Sequence, residues 1–384
     1  MLNYQFIENV KDLEKVSRAF QNDQKVAVDL EADSMFHFKE KVCLIQMASD
    51  SQTVVIDPLK ISDMSCLKPV FSDPSIRKIF HGSDYDVRSL NRDYDYDIRN
   101  LFDTELASRF LGIAETGLSS VIEQRFKIHL DKSYQKKDWS QRPLSQEMIQ
   151  YGARDVIHLL SLADILDSEL KEKKREEWVR EECELLSRVR YPNSNGDPLF
   201  LRVKGSGRLD RRSLETLEHL LAFRMKVAEK KDKPLFKILS NNALLDIAKF
   251  RPATMDELRR TGTLSERQID SFGHDIISGI QKASQTPDDR LPCYPRQKKP
   301  VMKPEVPKRA DRLKIWRDKI ADELQIDPPI LFNKALLNEI ALVNPASMED
   351  LARVPGLKNW QKHEFGDQII GLLTKGKTSA VKKD

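Results

Sequence analysis

Cysteine is scarce in this chain, and what there is stands scattered: Cys43, Cys66, Cys183 and Cys293, with no C-x-x-C pair among them. That spacing argues against a disulfide framework or a thiol redox motif and predicts reduced thiols in a reducing compartment. No Cys or His cluster supplies the ligand set that zinc prefers. Long apolar runs are missing too, so no segment is expected to cross a bilayer. The start, Met1-Leu-Asn-Tyr-Gln-Phe6, lacks the basic stretch and apolar run of a secretory leader. Cytoplasmic residence without membrane attachment is therefore the expectation. What the chain does have is 384 residues, 40% of them hydrophobic, enough for two or three domains with real cores.

Charge is unevenly placed. Residues 1–170 hold 21 Lys+Arg against 28 Asp+Glu, a net of −7, whereas residues 171–384 hold 43 against 32, a net of +11. A basic half predicts a surface for nucleic acid. Its densest run, Arg202, Lys204, Arg208, Arg211 and Arg212, reads either as an RNA grip or as a solvated loop.

The acidic half carries the pattern that points to chemistry. In Lys25-Val-Ala-Val-Asp-Leu-Glu31, alternation predicts a strand with Val26, Val28 and Leu30 on one face and Asp29 and Glu31 together on the other. Residues 77–81 read as a short strand, and Gly82-Ser83 opens a helix carrying Asp84, Asp86, Val87 and Leu90. Further on, Ile149, Ala153, Val156 and Leu160 form an apolar helical stripe that starts near Ser145, while Tyr151 and Asp155 share another side at i, i+4. Alone, each piece has an ordinary reading: an exposed strand face, a half-buried aromatic, or a helix-start acid complementing the macrodipole. The ordered combination instead predicts convergent carboxylates able to bind divalent metal.

That combination resembles the tyrosine subclass of the DEDD superfamily of 3′→5′ exonucleases. Cys43-Leu-Ile-Gln46, Phe80-His-Gly-Ser-Asp-Tyr-Asp-Val87, Leu101-Phe-Asp-Thr104, Leu130-Asp-Lys-Ser133, Asp138-Trp139 and Arg142-Pro-Leu144 narrow the resemblance to the ribonuclease D family, over nearly the whole chain. The resemblance implies an α/β ribonuclease H-like domain, a mixed five-stranded sheet with helices. It also implies two Mg²⁺ or Mn²⁺ ions per active site: Asp29, Glu31 and Asp155 on one, Asp29 on the second with Asp86 acting through water. Tyr151 would align the attacking water. Alignment on His81 and on the apolar residue after the acid favours Asp86 over Asp84. Gln46, His81, Lys137 and Arg142 are the candidate substrate contacts, and His81 also reads as a structural donor. Asp103 reads as a local cap.

The second half repeats itself. Asn242 to Ala248, Arg251 to Leu258 and Phe272-Gly-x-x-Ile-Ile277 return 93 residues later as Ala335 to Ala341, Asn344 to Leu351 and Phe365-Gly-x-x-Ile-Ile370. Two copies of one small all-α bundle follow, and they resemble HRDC domains. The predicted organisation is an exonuclease domain over 1–170, a charged helix and hinge over 171–205, a first HRDC domain over 206–285 and a Pro-rich basic linker over 286–309. A second HRDC-like domain over 310–376 and a basic tail over 377–384 complete it. The linker suggests separate modules, so that a fragment ending near Tyr191 would fold and still digest a short single strand.

Gly371-Leu-Leu-Thr-Lys-Gly-Lys-Thr378 satisfies a phosphate-loop pattern, but it follows a helical segment rather than a strand. No nucleotide cofactor is expected. The expected activity is 3′→5′ exoribonuclease by a two-metal mechanism, acting as a monomer in tRNA 3′-end processing on tRNA precursors and other structured RNAs with 3′ extensions. A DNA 3′→5′ exonuclease is the nearer alternative, since only contacts to the 2′-OH would discriminate. A catalytically silent RNA-binding protein is the distant one.

Overall fold

A computed structural model describes residues 3–191, 196–295 and 303–374. The hinge residues Pro192–Asn195, the linker residues Arg296–Met302 and the tail from Lys375 onward lie outside the described residues. Six strands, β1 (Gln5–Ile7), β2 (Lys25–Ala32), β3 (Val42–Ala48), β4 (Thr53–Ile56), β5 (Arg77–Phe80) and β6 (Leu101–Asp103), form one sheet in the order β1-β4-β3-β2-β5-β6. The sheet is mixed: β2 and β4 run antiparallel to β3, while β1 is parallel to β4, β5 to β2 and β6 to β5. It has one strand more than the five expected. Both edge strands are only three residues long, too short to carry a legible alternation.

Helices α1 (Val10–Phe20), α2 (Lys68–Ser72), α3 (Asp84–Tyr94), α4 (Thr104–Phe110), α5 (Leu118–Phe126), α6 (Gln146–Ile157), α7 (Leu159–Glu172) and α8 (Glu176–Ser187) surround the sheet. Val26, Val28 and Leu30 of β2 enter the large core. A smaller cluster collects Leu44, Val55, Trp139, Ile149 and Ala153, with Tyr151 packed at its margin, and α6 crosses β2, β3 and β4.

The first bundle contains α9 (Arg211–Lys231), α10 (Leu235–Ile238), α11 (Asn241–Phe250), α12 (Met255–Arg260) and α13 (Glu266–Gln285). The second contains α14 (Glu305–Leu324), α15 (Pro328–Leu331), α16 (Lys334–Val343), α17 (Met348–Ala352) and α18 (Asn359–Thr374). The repeat read from sequence extends to hydrogen bonds. Arg224 donates to the Leu239 carbonyl and Arg317, 93 residues on, donates to the Phe332 carbonyl. Gln268 likewise reaches the Ile238 carbonyl and Gln361 that of Leu331. Helix α14 begins at Glu305 and takes Pro307 into its first turn, where a missing N–H costs nothing; that proline reads from sequence as linker.

The chain divides into two compact units. One comprises the sheet domain with the second bundle; the other comprises 192–298 together with the β2–β3 connection, 33–41. In the latter, Phe38 packs on the bundle core, its N–H donates to Asp232 and His37 Nδ1 lies 2.6 Å from Asp232.

Separate modules were expected, yet the second bundle shares the core of the sheet domain. Trp360 stacks on Trp178 at 4.9 Å and meets Phe110 edge-on. Arg175 donates to the carbonyls of both Phe110 and Leu324, and Glu181 accepts from the N–H groups of Asn359 and Trp360. A fragment ending at Tyr191 would expose Phe110 and Trp178 to water. Accordingly, Trp360→Ala, which empties a buried aromatic site, is expected to cost about 3–5 kcal/mol of stability. Denaturant unfolding of the full chain checks this, and a loss below about 1 kcal/mol would mean that the bundle does not brace the sheet domain.

Candidate active site

Asp29 and Glu31 leave the same face of β2, and antiparallel pairing sets them opposite Gln46 and Leu44 of β3. Helix α6 lies over this face. Its approach depends on Gly152, since a Cβ there would stand 2.7 Å from Gln46 Nε2 and 3.2 Å from Leu44 Cδ2. The close seat brings Asp155 to the strand: carboxylate oxygens of Asp29, Glu31 and Asp155 all lie within 4.8 Å of one another.

Asp86 enters from the first turn of α3 and is buried; the Asp29 charge raises its carboxyl, and Asp86 in turn raises that of Glu31. Asp84 points elsewhere. It is exposed and paired with Arg88 at 2.8 Å, and that bond holds its carboxyl below the usual range. The turn before α3 is held by Asp103, which does more than cap its own helix. Besides the N–H groups of Glu105 and Leu106, it accepts those of Gly82 and Ser83 and the Ser83 hydroxyl. Gly82 sits at φ +74 with Glu105 Oε2 2.6 Å from where a Cβ would be, a position open to glycine alone.

These carboxylates crowd without a counter-charge. Among the described residues, no Lys or Arg pairs with Asp29, Glu31, Asp86 or Asp155. Two ionised carboxylates about 5 Å apart repel by about 3 kcal/mol at an effective dielectric of 20. Burial first, then the charges of their neighbours, raises Asp155 to about 8 and Glu31 and Asp86 well above the usual range; burial raises Asp29 to about 6, a Leu30 backbone hydrogen bond opposing it. Such a cluster must take up either protons or a cation. Hard oxygen donors without His or Cys suit Mg²⁺ or Mn²⁺, so the residues present fit such ions. The Tyr151 phenol rises above its ordinary value through burial and then through Asp155, Glu31 and Asp29; it keeps its proton at neutral pH.

A cavity of about 400 Å³ opens over the cluster, lined by Asp29, Glu31, Tyr151 and Asp155 together with His81, Glu105, Lys132 and Gln135. His81 Nδ1 is 2.9 Å from the Thr104 hydroxyl, and burial lowers its pKa, so the ring is neutral.

The other candidate contacts fall differently. Gln46 is fully buried beneath α6, both of its amide atoms without a partner among the described residues. Lys137 is exposed and does not line the cavity; Lys132 is the cation that does. Lys132 stands inside Leu130-Asp-Lys-Ser133, a motif visible in the sequence. Arg142 does not line the cavity, and its guanidinium is committed to Asp57 and three carbonyls.

Comparison with known proteins bears on the fold and the family. The 3′-5′ exonuclease family matches residues 4–171, and the HRDC domain matches twice, at 213–280 and 307–373. Ribonuclease D of Gluconacetobacter diazotrophicus is 28% identical over 95% of this chain and 92% of its own. That of Desulfotalea psychrophila is 29% identical over 87% and 89%. The Escherichia coli RNase D crystal structure shares the fold at a TM-score of 0.75 and 24% identity, covering 97% of this chain and 99% of its own.

Protons and metal compete for the same oxygens, which fixes a sign. Each raised carboxyl stabilises the metal-free fold fully below about 4, its ordinary value, and that contribution is lost as pH rises through about 6 for Asp29 and about 8 for Asp155. Divalent metal should therefore bind more tightly as pH rises across this window, releasing protons. Titration calorimetry with Mn²⁺ in two buffers of different ionisation enthalpy reads both effects. Affinity independent of pH, with no proton release, would show the carboxylates already ionised.

Proposed function

Since the chain belongs to the ribonuclease D family of 3′→5′ exoribonucleases, we propose that it shortens RNA from the 3′ end at the carboxylate cluster, releasing nucleoside 5′-monophosphates. The observation that carries this is three convergent carboxylates, with buried Asp86 coupled to them electrostatically and no paired Lys or Arg among the described residues, beside a protonated tyrosine. Asp29, Glu31 and Asp155 would hold one divalent ion, and Asp29 with Asp86 a second. When bound, such ions supply the charge that activates water and offsets the charge on the departing 3′ oxygen.

The chain's own residues do the positioning. The Tyr151 hydroxyl, held neutral, hydrogen-bonds the water and directs it at the terminal phosphodiester. Lys132, the cation on the cavity wall, meets a substrate phosphate. His81, neutral and fixed by Thr104, shapes the wall, and Gln46 supports α6 from beneath. RNAs with 3′ extensions, tRNA precursors among them, are the substrates, and the protein acts as a monomer. The phosphate-loop pattern takes no part: Gly371–Thr374 form the last turn of α18, where no strand-to-helix turn exists, and Lys375–Thr378 lie outside the described residues.

Asp29 stands at the centre of the cluster, so Asp29→Asn is expected to remove nearly all hydrolysis while the fold and RNA binding persist. Asp86→Asn should follow it and Asp84→Asn should not. Tyr151→Phe should cost on the order of 10²-fold, the scale of a positioned proton-handling group. Digestion of matched 3′-labelled RNA and DNA strands, with Mg²⁺, with Mn²⁺ and with chelator, tests the set. Full activity of Asp29→Asn, or activity surviving chelation, would sink the metal assignment; preference for the DNA strand would move the reading to a DNA exonuclease.

A further inference from the structure

The segment entering α6 is tied down by a single side chain. Arg142 has five N–H donors, and every one is used. Nε donates to Asp57 Oδ2 at 2.6 Å and Nη2 to Asp57 Oδ1 at 2.7 Å, a two-pronged ion pair. Nη2 also reaches the Cys43 carbonyl at 2.8 Å, and Nη1 the carbonyls of Trp139 and Gln141 at 2.7 and 2.8 Å. No donor remains for a phosphate.

The partners show what the contacts hold. Asp57 is fully buried just past the end of β4; its N–H donates to Ile7 of β1 and its carboxylate also accepts from the Leu59 N–H. Cys43 belongs to β3. Trp139 and Gln141 belong to the loop that Ser145 ends by capping α6. Arg142 thus fastens that loop to the backbone of β3 and to the Asp57 carboxylate just past β4, with β3 paired to the strand that carries Asp29 and Glu31. The loop's Trp139 is buried 6.0 Å from the Tyr151 ring, and Tyr134 lies 5.8 Å from it on a separate contact. Tyr151 follows in the second turn and Asp155 in the last turn of a short helix whose freedom, once its start is fastened and Gly152 is seated, is small.

We infer that Arg142 and Asp57 form a positioning pair that sets where Tyr151 and Asp155 stand relative to Asp29 and Glu31, and so act on the rate of the reaction without touching substrate. This rests on the exonuclease reading above. The physical ground is that misplacing catalytic groups by about 1 Å can cost on the order of 10²-fold in rate, and that lysine, a point charge with no fork, cannot reproduce the five bonds.

The test uses the full chain carrying Arg142→Lys, with Asp57→Asn as the second variant because it keeps the side-chain volume. With a short single-stranded RNA, at a temperature where melting curves show each protein folded, kcat should fall about 10- to 100-fold with KM changed less than about twofold. In a Tyr151→Phe background the same substitutions should cost clearly less than in the parent, the remainder being the share that acts through Asp155. A merely structural pair would lower the melting temperature and leave kcat unmoved, and kcat within twofold of the parent in either folded variant overturns the inference. Costs that multiply in full with Tyr151→Phe also overturn it, as does failure of both variants to fold, since the pair would then hold the fold rather than a geometry. Activity surviving in Asp29→Asn is the separate outcome that would defeat the underlying reading.

Discussion

Repulsion among carboxylates is the constraint around which the sheet domain is built. Three acids whose oxygens fall within 4.8 Å, with a fourth behind them and no paired Lys or Arg among the described residues, would drift apart on a loose scaffold. Native stability of about 5–15 kcal/mol leaves little room for several such repulsions at about 3 kcal/mol each. The scaffold answers by rigidity. Asp29 and Glu31 are on a central strand hydrogen-bonded on both sides, Asp86 leaves a turn gathered by Asp103, and Asp155 rides a helix seated on Gly152 and fastened through Arg142. Stability given up at such a site is what makes it a strong ligand for a cation: crowded, ionised oxygens gain most when positive charge arrives.

The two helical bundles show how one sequence pattern can serve two structural ends. Buried Arg224 and Arg317, the amides of Gln268 and Gln361, and the left-handed Arg251 and Asn344 occupy matching places, so the fold of the bundle was duplicated whole. One surface then diverged. The counterpart of Trp360, 93 residues earlier, is Arg267, exposed on α13, and Ser265, which caps α13, is matched by Lys358, which reaches Glu182. A tryptophan in place of an arginine turns a solvated helix start into a face that stacks on Trp178. That exchange is why the second bundle belongs to the unit of the sheet domain.

Much of the site was legible because its spacing is local. Alternation on β2 and the i, i+4 step on α6 pair Asp29 with Glu31 and Tyr151 with Asp155, while the joining of the two pairs and the choice of Asp86 over Asp84 came from the ordered motifs and the family resemblance. Groups defined by distant partners were not legible. Arg142 looks like any arginine near a phosphodiester until Asp57, 85 positions away, is seen to hold it. Asp103 looks like a cap until the turn at Gly82 closes on it, 21 positions back. Lys132 and Lys137 are equivalent on paper, and only the path of the loop puts the first on the cavity wall.

Net charge shows the same limit from the other side. The helical half is basic by 11 charges, yet part of that excess is structural. Arg211 donates to the Leu291 carbonyl, Arg212 to the carbonyls of Ala283, Ser284 and Thr286 and to Asp288, and Arg224 and Arg317 lie buried against backbone. A guanidinium committed to carbonyls keeps its charge and long-range field, but it has fewer donors left to grip a phosphate. Any RNA affinity supplied by the bundles would therefore divide into a diffuse attraction, which salt screens within about 10 Å at 0.1 M ionic strength, and the contribution of cations whose donors are not committed to carbonyls. Counting lysines and arginines measures the first; only the hydrogen-bond inventory measures the second.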